Sequence, residues 1–314
     1  MNTLSVIICT HNPRSDYFGR TLAGLRAQTL PINEWELLIV DNASAPEKAP
    51  HPDLGWHPRA RIVQEPKLGL TQARLCGIRA SVGDLLVLVD DDNVLDPDYL
   101  ATARRVADEM PFLGSWSGQC RPEFEEAPPE WTRRYWGNLV IRQFDRDCWS
   151  NLPRLGDTMP CGAGLCVRRE VAQRYVSLHD AGQRSMLLDR VGSSLVSGGD
   201  NDLAACACDI GLGVGLIASL KLVHCIPKQR LQLDYLSRLA ESIQFSSLIL
   251  DAERGLPVEA RSLIGRIADG LRLLRARGPH REILRATNRG RAAAFRYLNG
   301  PSAVRSAEPA RPRQ

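Results

Sequence analysis

The chain opens on short, mostly apolar runs separated by stretches in which apolar residues return every three or four positions. Leu4 to Cys9, Trp35 to Val40, Arg61 to Gln64 and Asp84 to Val89 read as strands, and Tyr17 to Gln28 and Gly69 to Ser81 as helices between them. A strand covered on both faces loses the apolar–polar alternation of a half-exposed one and becomes a continuous apolar run. Strands alternating with helices of this length predict βαβ units and a Rossmann-like α/β fold with a mostly parallel sheet flanked by helices. Further on, Cys161 to Val167 and Leu220 to Val223 predict strands and Asp200 to Ile210 a helix, with Gly211 to Gly215 a turn leading into a strand. Residues 114–157 carry Trp116, Trp131, Trp136 and Trp149 and show little periodicity. From Leu231 onward Leu, Ile and Ala recur at helical spacing among arginines. The expected organisation is a main domain over 1–226, a helical appendage over 227–300 and a disordered tail over 301–314.

Composition narrows the class. With 44% hydrophobic and 24% charged residues among 314, the chain has the makeup of a globular protein with a substantial core. Its apolar runs fall well short of the roughly 20 residues that cross a bilayer, and the first residues lack the basic start of a secretory signal. Nine cysteines without CxxC spacing predict reduced thiols and a cytoplasmic protein. Charge is unevenly spread: from Arg254 to the end 14 arginines face 4 acids, whereas the first 253 residues carry 26 basic and 32 acidic residues. The acidic body speaks against a nucleic-acid-binding domain. The basic end predicts an anionic partner, a membrane surface or nucleic acid, with peripheral contact with anionic lipid at the inner face of the membrane as one form; a solvated helix face or a dimer interface is the competing reading.

In open parallel sheets, ligands gather beyond the carboxyl ends of the strands. The sharpest polar group in such a position is Asp90-Asp91-Asp92, which follows the most apolar strand. Three adjacent carboxylates repel one another, and a divalent cation, Mg²⁺ or Mn²⁺, is the natural counter-charge for hard oxygen ligands. In extended backbone Asp90 and Asp92 point to one side. The competing reading is a solvated acidic turn ahead of a helix that starts at Asp96-Pro97-Asp98. By themselves, Asp41 reads equally as an Asx-turn residue, and Lys67 and Arg74 as surface cations.

Taken together, the motifs resemble family 2 glycosyltransferases of the GT-A fold. The resemblance rests on Thr10-His11-Asn12-Pro13, Val40 to Ser44, Gly69 to Gly77, Val89 to Asn93 with Pro97-Asp98-Tyr99-Leu100, Gly162 to Glu170, and Gly198-Gly199-Asp200-Asn201-Asp202-Leu203, in order over about residues 3 to 230. It implies inverting transfer of a single sugar from a nucleotide-diphosphate donor to an acceptor hydroxyl. Thr10, Asn12, Asp41, Lys67, Arg74, Asp90, Asp91, Lys228 and Arg230 would then serve the donor, and Asp92 with His224 the metal. Asp200 would be the general base, although Gly199 stands where the family usually has Glu, which leaves Asp202 as an alternative. Trp131 and Trp136, with Asp202, are the acceptor candidates, because aromatic faces stack on sugar rings or cover a lipid chain. The Gln-x-x-Arg-Trp element of processive synthases is absent. The rivals are an inactive nucleotide-sugar-binding or scaffold protein of the same fold, and a sugar-phosphate nucleotidyltransferase, for which the loop after the first strand lacks the required glycines.

Overall fold

The computed structural model describes residues 3–153, 158–192 and 194–300. Among them, nine strands form one sheet: β1 (Leu4–Thr10), β2 (Trp35–Asn42), β3 (Ala60–Glu65), β4 (Leu85–Asp90), β5 (Asn93–Leu95), β6 (Leu113–Phe124), β7 (Cys148–Ser150), β8 (Leu165–Arg168) and β9 (Gly213–Ile226). Their order is β3-β2-β1-β4-β8-β6-β9-β5, with β7 paired to β9. The half built from β3, β2, β1 and β4 is parallel throughout. The other half is mixed, because β8 runs antiparallel to both β4 and β6 while β6 and β9 run parallel.

Five helices cover the sheet: α1 (Ser15–Arg26), α2 (Leu70–Ala80), α3 (Tyr99–Glu109), α4 (Arg169–Asp180) and α5 (Gly199–Asp209). The apolar strand runs serve two cores at once. Leu4, Val6 and Ile8 of β1 point into a core with α1 and α3, while Ile7 joins Leu38, Val40 and residues of α2, α4 and α5 on the opposite face. This is why β2 is buried over its whole length and why no alternation is visible in its sequence.

Two features were hidden in the sequence. β6 lies in the stretch of weak periodicity: Ser115, Ser117 and three small or polar neighbours interrupt its apolar signal, yet pairing with β8 and β9 buries it. β9 begins at Gly213, so two of the glycines read as a turn lie inside the strand. Gly118 marks a register shift between β6 and β9, and a Cβ there would lie 2.2 Å from the carbonyl oxygen of Leu220. The strand expected from Cys161 starts only at Leu165, after Gly164 in the left-handed region.

Beyond Ile226 the chain becomes helical: α6 (Leu233–Glu253), α7 (Leu263–Arg275) and α8 (Gly278–Leu298). Leu231, Leu236, Leu239 and Ile283 share a core with Leu139 and Ile226, so α6 and α8 are seated on the main body. The two helices cross at Gly290, where a Cβ would lie 2.1 Å from the Glu241 carbonyl oxygen. The tail at 301–314, expected to be disordered, lies outside the described residues.

Because backbone meets backbone at this crossing, no rotamer change relieves a larger side chain. Gly290→Val is expected to lower stability by about 2 kcal/mol, read as a lower denaturant midpoint with an unchanged slope.

Candidate active site

The carboxyl ends of β1, β2 and β4 converge on a cleft of about 580 Å³. Its floor carries Thr10, Asn42, Asp90, Asp91 and Asp92, and its far wall is the α6 face with Tyr235, Leu239, Ile243, Ser246, Ser247 and Leu250. Arg74, Gly162, Asp200, His224 and Arg230 also open on it. Another hollow of about 500 Å³ at Gln119, Arg121, Asp145 and Lys221 contains none of these groups and offers a single carboxylate.

Arg74 is the centre of the arrangement. It projects from α2, only 3% of its side chain is exposed, and its guanidinium bonds the Asp200 carboxylate at 2.5 Å. The same group stands 4.0 Å from Asp90. Asp200 sits at the start of α5, so helix α2 and helix α5 meet through this ion pair across the sheet end. Burial alone would raise the Asp200 carboxyl, but the Arg74 charge and hydrogen bond outweigh it and hold the group below its ordinary value. The pair also explains Gly162: a Cβ there would lie 2.4 Å from Asp200 Oδ2 and 2.9 Å from Arg74.

The entry to α2 is fixed by its own contacts. Gly69 adopts φ +148°, a conformation few L-residues tolerate, and a Cβ would run into the Asp189 carboxylate. Asp189 caps the helix by accepting from the Thr71 N–H at 2.7 Å, and Asn42 Oδ1 accepts from the Gly69 N–H at 2.8 Å. Gly199 has a comparable local reason. A Cβ would meet Thr71 Oγ1 at 3.0 Å and Tyr175 Oη at 3.2 Å, so the tyrosine fills the space beside this residue.

The aspartate triplet divides by environment. Asp91 bonds the Thr10 hydroxyl, and withdrawal from water together with the neighbouring Asp92 charge pushes its carboxyl up to about 7. Burial and the nearby Asp92 and Asp200 carboxylates also raise Asp90, against the pull of Arg74. Asp92 goes the other way: burial is outweighed by Arg230 and His224, which hold it down at about 2. Arg230 donates to Asp92 Oδ2 at 2.9 Å and to His224 Nε2 at 3.0 Å, and those two acceptors are 3.5 Å apart.

Arg230 therefore acts as a stand-in cation between a carboxylate oxygen and an imidazole nitrogen. These are donors that suit Mn²⁺ or Mg²⁺, and in that sense Asp92 and His224 fit the metal that the fold implies. Among the described residues no group of three His, Cys, Asp or Glu side chains could hold a metal by itself. Such a pair suits a cation that completes its shell with substrate phosphates and water.

Other candidates lie elsewhere. Asn12, Asp41, Lys67 and Lys228 are outside the cleft lining. Asn12, at φ +51°, braces the next loop by accepting from the Ala45 N–H at 2.9 Å. Asp41 is buried and accepts from the Ser44 N–H, three residues on, at 3.3 Å, while the Lys67 side chain is exposed. Lys228 pairs with Glu126 at 3.0 Å on the surface. Asp202 turns away from the cleft into a buried cluster with Arg184 at 2.7 Å and Arg254. Trp136 packs on Phe124 with ring centroids 5.0 Å apart, and Trp131 joins the core beneath α6, so neither indole lines the cleft. The α6 wall, Asn42 and Arg190 were not identified from sequence; α6 showed only its helical period, which does not reveal which face meets the cleft.

A parallel half-sheet continued by antiparallel strands, with an acidic cleft at the strand ends, defines a GT-A glycosyltransferase fold. The mannosyltransferase PcManGT from Pyrobaculum calidifontis, solved with GDP-Man and Mn²⁺, superposes with a TM-score of 0.55 at 20% identity over 98% of this chain and 79% of that one. S. aureus TarS 1-349 with UDP-GlcNAc gives 0.51 at 14% identity over 97% and 78%. The glycosyl transferase family 2 model matches residues 5–175, and the chain belongs to that family. An N-acetylglucosaminyltransferase of Mesorhizobium japonicum is 31% identical over 122 residues, which is 37% of this chain and 28% of that protein. The uncharacterized glycosyltransferase YwdF of Bacillus subtilis is 30% identical over 115 residues, 36% of this chain and 41% of that protein. The matched segments thus span well under half of these relatives' length.

Removing Arg74 leaves Asp200 without its counter-charge. Because the folded Asp200 value is depressed, its stabilising contribution is present above the unfolded carboxyl value of about 4 and is lost as pH falls through the folded value. Arg74→Met is expected to cost about 3 kcal/mol at neutral pH, and its stability deficit to shrink on acidification below about pH 4. Denaturant melts of both proteins between neutral and acidic pH check this.

Proposed function

We propose that the chain transfers a single sugar from a nucleotide-diphosphate donor to an acceptor hydroxyl with inversion. The observation that carries this reading is that Asp200 and the Asp90–Asp92–His224–Arg230 cluster open on one cleft, with Arg74 between Asp200 and Asp90. Inversion needs a proton acceptor on the face of the sugar opposite the leaving diphosphate, and a low-lying carboxylate such as Asp200 stays ionised for that task. Arg74 positions it and offsets its charge while no substrate is bound.

On this reading Asp200 takes the acceptor hydroxyl proton as the oxygen attacks the anomeric carbon, and the bond to the donor diphosphate breaks. Asp90 and Thr10 face the nucleotide and sugar on the cleft floor. Arg230 leaves its contacts with Asp92 and His224 and turns to the diphosphate, where its planar donors match phosphate oxygens. A divalent cation held by Asp92 and His224 would supply Lewis-acid neutralisation of the departing diphosphate. The α6 wall, with Leu239, Ile243 and Leu250 beside Ser246 and Ser247, forms the acceptor side. Its mixture of aliphatic surface and hydroxyls suits an acceptor with both polar and apolar parts.

The nucleotide sugars bound in the solved neighbours, GDP-Man and UDP-GlcNAc, make UDP- and GDP-sugars the first panel. In the presence of Mn²⁺ and acceptor, release of nucleoside diphosphate is the expected readout. Asp200→Asn should lower kcat by about 10² to 10⁴-fold while calorimetric binding of the donor persists. Equal turnover in that variant removes Asp200 from the mechanism, and binding without release by the wild-type protein supports the inactive reading instead. Separately, Asp92→Ala should abolish the cation-dependent part of the thermal shift produced by UDP or GDP. A metal-independent shift of full size in that variant contradicts the cation role.

A further inference from the structure

The helix α7 has no buried residue, although it is the most evenly amphipathic segment of the appendage. Leu263, Ile264, Ile267, Leu271 and Leu274 are between 47% and 79% exposed. At 100° per residue these five side chains fall within an arc of about 100°. They form one continuous apolar stripe facing away from the protein. Ser262 caps the helix by accepting from the Gly265 N–H at 3.2 Å. Even so, a helix of 13 residues is marginal in water without a surface to bury it.

Charge identifies what covers the stripe. Arg266 lies beyond one edge and Arg275 beyond the other, and Arg261, Arg272 and Arg277 are exposed on the same segment. Asp269, on the side away from the stripe, is only 19% exposed and is already shared between Arg261 and Arg272. Residues 254–300 contain 11 arginines and 3 acids. Two copies packed stripe to stripe would bring these arginines together, while Asp269, the one acid of α7, lies on the far side and is already taken. An anionic lipid surface satisfies both halves of the pattern, because acyl chains take the apolar stripe and headgroup phosphates take the flanking guanidinium groups.

We propose that α7 is an in-plane membrane helix that docks the protein on an anionic phospholipid bilayer. No helix among the described residues is long and apolar enough to cross a membrane, so the attachment is peripheral. The inference concerns a surface remote from the aspartate cluster and does not depend on the transferase reading. Its consequence for the site is positional: α6, which walls the cleft, runs through residues 254–262 directly into α7.

The test is flotation of the full chain with vesicles of phosphatidylcholine alone and of phosphatidylcholine mixed with phosphatidylglycerol. Binding is expected only to the mixed vesicles. The double variant Ile264→Ser/Leu274→Ser, which leaves every charge in place, should weaken binding by roughly tenfold or more. Arg266→Glu/Arg275→Glu should weaken it similarly. Since both apolar residues are exposed and outside every core cluster, the melting of the main body should not change. As a second measurement in an otherwise unaltered protein, Leu274→Trp should add emission that brominated acyl chains quench beyond the wild-type signal. Undiminished binding by the Ser variant, absence of binding to either vesicle, or a missing quench overturns the proposal. So does a concentration-dependent dimer in light scattering that the same Ser substitutions dissolve, since the stripe would then belong to a second copy.

Discussion

The site depends on a single buried cation. Arg74 enters the sheet end from α2 with its guanidinium almost wholly withdrawn from water, a position that is tolerable only beside compensating carboxylates. Asp200 supplies the close partner and Asp90 the second, more distant one. Those two acids come from different halves of the fold, Asp90 from the end of the parallel β4 and Asp200 from the helix after the mixed half of the sheet. The ion pair thus ties the end of β4 to the start of α5 at the cleft. It also requires Gly162, since any Cβ at that position would occupy the space of the pair.

A second cation organises the other end of the acidic floor. Arg230 comes from the start of the appendage and satisfies Asp92 and His224 together. Asp92 stays ionised under its influence, whereas Asp91, bonded to a neutral hydroxyl, is pushed up. Adjacent residues of one type are therefore shifted in opposite directions because their partners differ in charge, not because their burial differs much. The appendage takes part in the site through this contact and through the α6 wall, and Gly290 is where α8 holds α6 in place.

The sequence made the fold legible where burial is two-sided. β1, β2 and β4 read as nearly continuous apolar runs because helices cover both faces, and their ends located Thr10 and the Asp90 to Asp92 triplet. β6 was illegible because serines and glycines form its buried surface, where Ser115 bonds the Ala204 carbonyl and Gly118 allows the close approach of Leu220. Arg74 looked like a surface cation because nothing local in α2 reveals a partner 126 residues away. An indole signals contact with something apolar, and for Trp131 that is the core beneath α6, for Trp136 the ring of Phe124.

The choice between Asp200 and Asp202 shows why spacing along a helix carries more information than residue type. Two positions apart on an α-helix, side chains diverge by about 200° and cannot serve the same surface. One of these acids must face the cleft and the other the protein. Asp202 is taken by Arg184 and Arg254, and Arg254 also bonds Asp209, so this second cluster clamps α5 to the end of α6. Asp200 has one buried arginine and an open side toward the cavity. Each acid in the first turn of α5 is therefore held by arginine, but of the two only Asp200 lines the cavity. A helix start favours acids through its dipole in either role. The distinction between a structural and a chemical carboxylate is made by how many of its oxygens the protein itself has already used.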